Sequence, residues 1–280
     1  MRPIRTIAVL PTMFTLGNLV CGFFAIVVAA RVVAPAMLQH DASASLAVDP
    51  QDTTNVMLSG WLIVIAMLFD ALDGYVARLS RTASEFGKQL DSLCDVVTFG
   101  VAPGFLLVKM CPVFALWHRQ AVWIIAASYA ACAALRLARF NVETADDDDH
   151  MHFSGLPSPA AAGAIAGFAI MFHTLRIQDE NVLLFAGEID RVLQYMLPFF
   201  GVLVALLMVS RIPYPHIVNQ VFRGQRSFGH VVALIFALVA LMVIKGYSIP
   251  IVFCFFVFSG PVRYCYEKVV ERRHQEDPLF

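Results

Sequence analysis

Residues 70–95 read DALDGYVARLSRTASEFGKQLDSLCD and join two long apolar runs. Each run is long enough to cross the hydrocarbon core of a bilayer as a helix. A carboxylate near the centre of such a helix costs about 2.5–3.5 kcal/mol on insertion scales. This stretch carries four of them, at Asp70, Asp73, Asp91 and Asp95. Their charges need compensation, and hard oxygen ligands of this kind suit Mg²⁺, Mn²⁺ or Ca²⁺.

The composition is that of an integral membrane protein. The 280-residue chain is 59% hydrophobic and 15% charged, whereas soluble domains carry about 25% charged residues. The apolar segments must be helices, because lipid cannot satisfy the backbone polar groups of an open strand. We therefore predict an all-α integral membrane protein of about eight transmembrane helices, with a cytoplasmic-side metal site between helices 2 and 3. The predicted segments are roughly 11–33, 57–79, 88–110, 120–140, 157–175, 193–210, 229–246 and 249–267.

The distribution of basic residues predicts the orientation. With the N-terminus in the cytoplasm, 14 of the 20 Lys and Arg residues fall on the inside and 6 on the outside, as the positive-inside rule requires. The carboxylate segment then faces the cytoplasm. We expect a prokaryotic inner membrane, because no organelle-targeting segment precedes the first helix, which we interpret as retained. The net charge of −1 gives no reason to expect a nucleic-acid partner.

The domain organisation follows from the same segments. We predict one polytopic membrane domain over residues 1–280, with a catalytic core at about 8–210 and additional C-terminal helices at about 229–267.

Helical spacing places the acidic residues on two faces that can meet. At about 100° per residue, Asp70 and Asp73 share one face of the second helix with two small residues, and Asp91 and Asp95 share a face of the third. The sequence Thr82-Ala-Ser-Glu85 has the pattern of a capping box, which predicts that the third helix starts near residue 83. The short loop makes the two helices neighbours, so their acidic faces can hold one or two divalent ions.

Small and basic residues accompany the acids. Gly74, Ala77 and Gly87 remove side-chain bulk near the predicted metals, and Arg78 offers positive charge for a phosphate. Metals, small residues and cations near the membrane surface indicate a diphosphate substrate with a lipid tail. Two alternatives stay open at this point: the acids could form ion pairs that hold helices together, and the small residues could serve close helix packing.

The eight positions from Asp70 to Asp95 follow the pattern D-x2-D-G-x2-A-R-x8-G-x3-D-x3-D. This pattern resembles the signature of the CDP-alcohol phosphatidyltransferases. The resemblance implies a polytopic enzyme that uses two divalent cations, Mg²⁺ or Mn²⁺, to transfer a phosphatidyl group to an alcohol and release CMP. It implies that all four acids are metal ligands and that Asp95 is also the catalytic base. It further implies a nucleotide-binding set: Gly74, Ala77, Arg78, Ser84 and Gly87.

Three further stretches resemble the phosphatidylserine synthase branch of that family. They are LPTMFTLGNLVCGFFAI at 10–26, LRLARFNV at 135–142 and FSGLPSPAAAG at 153–163. The resemblance implies CDP-diacylglycerol and L-serine as the substrates. Thr15 and Asn18 are then candidates for binding the CDP-lipid, although polar helix packing explains them equally well.

The acceptor site is the least specified part of the pattern. Our hypothesis is that Arg136 or Arg139, next to Asn141, binds the carboxylate of serine. Both arginines are equally well explained as positive-inside anchors or as ligands of lipid phosphate. Glycerol-3-phosphate or an inositol phosphate is the alternative acceptor. A divalent-metal transporter is the alternative from a different class, since intramembrane acids also mark ion paths. Membrane lipids are expected partners, and a homodimer is compatible with the family.

Overall fold

A computed structural model of the chain describes residues 9–32, 49–80, 85–146, 153–177, 183–214 and 245–276. Within these ranges, seven helical spans are long and apolar enough to cross a membrane: Pro11–Ala30, Pro50–Val76, Glu85–Met110, Pro112–Val142, Ser158–Arg176, Gly187–Val209 and Ser248–Val269. The prediction of an all-α, multi-pass membrane protein is confirmed. The predicted segment 229–246 falls almost entirely outside the described residues, so the count of eight stays a prediction.

The described helices follow one another with few other elements between them. They are α1 (Val9–Ala30), α2 (Pro50–Ser80), α3 (Glu85–Asp95), a π-helical turn (Val96–Val101), α4 (Ala102–Met110), α5 (Pro112–Asp146), α6 (Ser158–Ile177), α7 (Leu183–Val209), a 3₁₀ turn (Lys245–Tyr247) and α8 (Ser248–Glu276). Two short strands, β1 (Phe153–Ser154) and β2 (Pro213–Tyr214), pair antiparallel.

Helix α2 begins earlier than the hydrophobicity predicts. It starts at Pro50, seven residues before the predicted segment 57–79. Proline suits the first helical position because its missing N–H would be unsatisfied there in any case. The carboxylate of Asp49 accepts a hydrogen bond from the backbone N–H of Gln51 at 2.9 Å, which caps the same helix end. Local capping therefore extends the helix beyond its apolar part.

The third and fourth spans are less regular than predicted. The expected single helix 88–110 is divided into α3 and α4 by the π-helical turn Val96–Val101. It is described from Glu85 onward, and the rest of the predicted capping box lies outside the described residues. Helix α5 contains a non-helical residue at His118. It continues to Asp146, past the predicted end at 140.

The helices pack around α6, whose side chains from Ala160 to Phe172 are largely buried. Helix α1 packs on α2, α2 packs on α6, α5 packs on α7, and α6 also contacts α8. A Cβ on Gly60 of α2 would lie 2.8 Å from the backbone oxygen of Ala166. The absence of a side chain there lets two membrane helices approach closely, which is how such interfaces are commonly built.

The connection before α6 is tied to the segment after α7. Gly155 has a φ of +95°, a conformation that L side chains rarely adopt, and its N–H donates to the carbonyl of Ile212 at 3.0 Å. The hydroxyl of Tyr214 donates to the carbonyl of Val257 in α8 at 2.9 Å. Burial raises the pKa of Tyr214 to about 12, so this donor stays protonated at neutral pH. These contacts position the start of α6.

Candidate active site

The acids of α2 and α3 meet at one end of the helix bundle. Asp70, Asp91 and Asp95 each offer a carboxylate oxygen, and these oxygens all lie within 4.8 Å of one another. The direction of the chain explains why these residues meet. Helix α2 ends at this end of the bundle, and α1 and the third span, Glu85–Met110, both begin here. Residues far apart in sequence are thereby brought to the same place.

The fourth acid lies beside this cluster. Asp73 is 6% exposed, and its carboxylate accepts a hydrogen bond from the hydroxyl of Thr15 at 2.8 Å. Asp73 also interacts electrostatically with Asp91. The structure thus brings all four predicted acids together, with three of them around one point and Asp73 adjacent.

The donor set fits a divalent cation. Two oxygens bound to one cation are separated by no more than twice the metal–oxygen distance, which is about 4.2 Å for Mg²⁺ and up to about 5.2 Å for Ca²⁺. The three carboxylate oxygens lie within 4.8 Å of one another, so they suit the longer bonds as they stand and would have to move slightly closer together around Mg²⁺. One oxygen of Asp91 is buried and has no hydrogen-bond partner among the described residues. A buried acceptor left in this way is costly unless it binds something, so a cation there has a ready ligand.

Helix α1 contributes two polar contacts to the acids. Thr15 and Asn18 lie one turn apart, and both are buried. Thr15 contacts Asp73, and the side-chain amide of Asn18 donates to Asp95 at 3.0 Å. The prediction that these two residues contact the CDP-lipid is not tested by these bonds. It stays a prediction.

Arg136 is a buried basic residue close to the carboxylates. It is 9% exposed and interacts electrostatically with Asp95 and Asp70. Its guanidinium donates to the hydroxyl of Ser158 at 2.8 Å and lies over the ring of Phe140, 5.6 Å from the centroid. A buried cation held in this way can face an anionic group of a substrate.

Arg139 and Asn141 make contacts of a different kind. Arg139 donates to the backbone carbonyl of Val209 at 3.0 Å, which joins α5 to the end of α7. Asn141 donates to the hydroxyl of Ser92 at 2.8 Å, and Ser92 in turn donates to the carbonyl of Lys88. Both residues therefore hold the ends of α3, α5 and α7 together.

The predicted nucleotide-binding set is described only in part. An ideal Cβ on Gly74 would meet nothing within 4 Å among the described residues, so this face of α2 is open. Gly87 is partly buried in α3. The side chains of Ala77 and Arg78, and the whole of Ser84, lie outside the described residues.

Two serines near the site were not predicted to take part. Ser158, fully buried at the start of α6, holds Arg136, and Ser92 holds Asn141. The stretch FSGLPSP, which contains Ser158, was already singled out in the sequence. It could not indicate that Ser158 contacts Arg136, 22 residues earlier in the chain. Nothing in the sequence around Ser92 marked that residue.

Comparison with known proteins is consistent with this geometry. The sequence model of the CDP-alcohol phosphatidyltransferase family matches residues 8–207. The chain therefore belongs to the CDP-alcohol phosphatidyltransferase family.

Three relatives are each named CDP-diacylglycerol–serine O-phosphatidyltransferase. The protein of Methanocaldococcus jannaschii is 36% identical over 161 residues, which cover 58% of this chain and 65% of the relative. That of Helicobacter pylori strain J99 is 38% identical over 57% of this chain and 61% of the relative. That of Bacillus subtilis strain 168 is 30% identical over 74% of this chain and 90% of the relative. The chain thus spans less than two thirds of the length of the first two.

Proposed function

We propose that this protein transfers the phosphatidyl group of CDP-diacylglycerol to the hydroxyl of L-serine, giving phosphatidylserine and CMP. The observation that carries the proposal is the convergence of three carboxylate oxygens, from Asp70, Asp91 and Asp95, within 4.8 Å. Membership of the family supports the reaction type. The names of the relatives from three organisms support serine as the acceptor.

The four acids would hold two divalent cations, Mg²⁺ or Mn²⁺. When bound, these ions supply the positive charge that the diphosphate and the leaving CMP need. Asp70, Asp91 and Asp95 already converge, and Asp73 lies beside Asp91. The identity and the number of the ions are part of the proposal.

Asp95 would act as the base. The hydroxyl oxygen of serine forms a bond to the phosphatidyl phosphorus, the bond between that phosphorus and the CMP oxygen breaks, and the hydroxyl proton passes to the carboxylate of Asp95. A primary alcohol is a weak nucleophile, so a carboxylate within hydrogen-bond reach assists it. Asp95 is 6% exposed, and this burial limits competing attack by water.

Arg136 is the better supported of the two candidates for binding the serine carboxylate. It interacts with Asp95 and Asp70, whereas Arg139 donates to a backbone carbonyl of α7. Arg139 and Asn141 would support the same site by holding the ends of the helices around it.

The open face beside Gly74 is where the CDP-lipid would lie. An added Cβ at Gly74 would meet nothing within 4 Å in the described part of the chain. Gly74 directly follows Asp73 in α2. Ala77, Arg78, Ser84 and Gly87 would contact the nucleotide and its diphosphate, as the family pattern implies.

The orientation and organisation are proposals as well. The excess of Lys and Arg on one side supports a carboxylate end that faces the cytoplasm of a prokaryotic inner membrane. All of the candidate site residues lie within the proposed core, about 8–210, and the helices at about 229–267 would support it. A homodimer stays a prediction.

The test is release of CMP by the purified protein with Mg²⁺ or Mn²⁺. L-serine, glycerol-3-phosphate and an inositol phosphate are compared as acceptors, and CDP-diacylglycerol is the donor. Asp95→Asn should reduce turnover by about a hundredfold or more, since general-base assistance contributes about 10²–10⁴-fold. Glu188→Gln is the control, because it removes a carboxylate whose side chain is 68% exposed, near the other end of the bundle.

Each outcome decides something definite. Release of CMP with L-serine alone, lost in Asp95→Asn and retained in Glu188→Gln, supports the proposal. Release with another acceptor retains the reaction type and rejects serine. Full activity in Asp95→Asn rejects that residue as the base. Metal uptake into vesicles without consumption of CDP-lipid would instead favour a transporter.

A further inference from the structure

Asn18 is placed to act on Asp95 rather than on a ligand. Its side chain is fully buried, and its amide N–H donates to Oδ1 of Asp95, 77 positions along the chain, at 3.0 Å. Hydrogen bonds to a charged acceptor are roughly twice as strong as neutral ones. A residue with no exposed surface cannot reach a lipid headgroup without moving, whereas its contact with Asp95 is already made.

The orientation of the amide is determined by that contact. An ionised carboxylate can only accept hydrogen bonds, so the NH₂ end of the amide must face Asp95. The other end, Oδ1 of Asn18, is buried and has no hydrogen-bond partner within the described ranges. An unpaired buried acceptor costs about 1–3 kcal/mol. The amide therefore keeps the orientation in which its NH₂ group donates to Asp95, although its carbonyl oxygen is then left without a hydrogen bond among the described residues.

The backbone of Asn18 is held from the same side. Its carbonyl accepts a hydrogen bond from the hydroxyl of Thr98 at 3.2 Å. Thr98 is fully buried in the π-helical turn that directly follows Asp95. Helix α1 and this turn are in direct contact, since a Cβ on Gly22 would lie 2.8 Å from the Cα of Thr98.

Asp95 and Thr98 thus contact Asn18 at its side chain and at its backbone. The helix that carries Asp95 cannot turn about its axis without breaking one of these bonds. π-helical turns are rare, and they occur frequently at functional sites. Here the turn follows immediately after the proposed base.

We propose that Asn18 is a positioning residue that holds one oxygen of Asp95 and thereby directs the carboxylate toward the acceptor hydroxyl and the cation. The inference rests on the proposed function, because it takes Asp95 to be the base and a metal ligand. It differs from the prediction that Asn18 contacts the CDP-lipid, since the two roles affect different constants.

The experiment uses the full-length protein in detergent micelles and the variant Asn18→Leu. Leucine has the same branched heavy-atom skeleton as asparagine but no amide, so it removes the donor at the cost of a modest increase in volume. Ser59→Ala is the matched control: Ser59 is fully buried in α2 and donates to the carbonyl of Ala25 in α1 at 2.9 Å. It removes a buried hydrogen bond between α1 and α2, away from the carboxylates.

Two quantities are measured for each protein. The first is the affinity for Mn²⁺ alone, by titration with electron paramagnetic resonance. The second is the pair of constants kcat and KM for CMP release at saturating Mn²⁺. Loss of a residue that orients a metal ligand typically costs about 10- to 100-fold in metal affinity or activity. We expect a loss of that order in both Mn²⁺ affinity and kcat for Asn18→Leu, with KM for CDP-diacylglycerol unchanged, and no loss in Ser59→Ala.

Two results would overturn the inference. One is wild-type kcat and Mn²⁺ affinity in Asn18→Leu, which shows that packing alone matters. The other is a raised KM for CDP-diacylglycerol with kcat and Mn²⁺ affinity intact, which shows that Asn18 contacts the lipid. If Asn18→Leu does not fold, Thr98→Val removes the hydrogen bond to the backbone carbonyl of Asn18 and should lower both quantities in the same pattern; unchanged values there also overturn the inference.

Failure of this inference can be told apart from failure of the proposed function. If the wild-type protein releases CMP with L-serine and Asn18→Leu does so equally well, only the role of Asn18 is rejected. If the wild-type protein uses no serine, the proposed function is rejected. The Mn²⁺ titration still decides the role of Asn18 in that case.

Discussion

Replacing Gly74 by alanine should make the protein slightly more stable and at the same time a poorer enzyme. Gly74 lies in the interior of α2, and a Cβ there would have no atom within 4 Å among the described residues. The added methyl group therefore clashes with none of the described residues in the free protein. Alanine in a helix interior is favoured over glycine by about 0.5–1 kcal/mol.

The same substitution should weaken the binding of CDP-diacylglycerol, although it stabilises the fold. If the CDP-lipid packs against the backbone at Gly74, the methyl group occupies space that the ligand needs. Overpacking of a well-fitted contact costs about 1–3 kcal/mol, which corresponds to roughly 5- to 150-fold in affinity. We therefore expect KM for CDP-diacylglycerol to rise by a factor in that range, with KM for serine little changed.

The assay is CMP release at varied CDP-diacylglycerol, together with thermal unfolding of the same preparation. Gly187→Ala is the matched control, because a Cβ on Gly187 in α7 also meets nothing within 4 Å in the described part of the chain. Gly187 lies near the opposite end of the bundle from the carboxylates, so its KM should not change. A wild-type KM in Gly74→Ala would refute the assignment of this face to the substrate.

Two further predictions concern contacts at the two ends of the bundle. Ser158→Ala removes one hydrogen-bond partner of Arg136 and should raise KM for serine by roughly 2- to 12-fold, as one hydrogen bond of about 0.5–1.5 kcal/mol implies. An unchanged KM for serine in steady-state assays would contradict this role. Arg176→Gln removes the ion pair with Asp190 at 2.9 Å and should lower stability by about 1.5–3 kcal/mol while both KM values stay constant. Thermal unfolding checks the first part, and a raised KM would show coupling to the site.

Much of the fold follows from the sequence because the membrane leaves few choices. Long apolar runs must become helices in lipid, and all seven spans in the described residues coincide with predicted segments. The ends are less predictable, since they depend on local capping. Pro50 and Asp49 start α2 within a polar stretch. A pattern of hydrophobic residues cannot predict a helix start of this kind.

The acids of the site could also be predicted from their spacing. Asp91 and Asp95 lie four residues apart on one helix face, and their convergence with Asp70 follows from a short connection between two neighbouring helices. Spacing alone could not predict which side chains donate hydrogen bonds to these carboxylates. Thr15 and Asn18 approach from α1, and their role as partners of carboxylates appears only when α1 packs on α2 and α3.

What the sequence determined by itself is the membrane class, the helical fold and the four acids, because these depend on composition and on local periodicity. What only the tertiary structure decided is which polar residues meet. Arg136 donates to Ser158, and Asn18 contacts both Asp95 and Thr98. A π-helical turn interrupts a segment that the sequence predicts to be a regular helix. Such pairings depend on how helices are rotated and packed against one another. In a membrane, buried polar groups must find partners within the protein, and only the packed structure determines which partners they find.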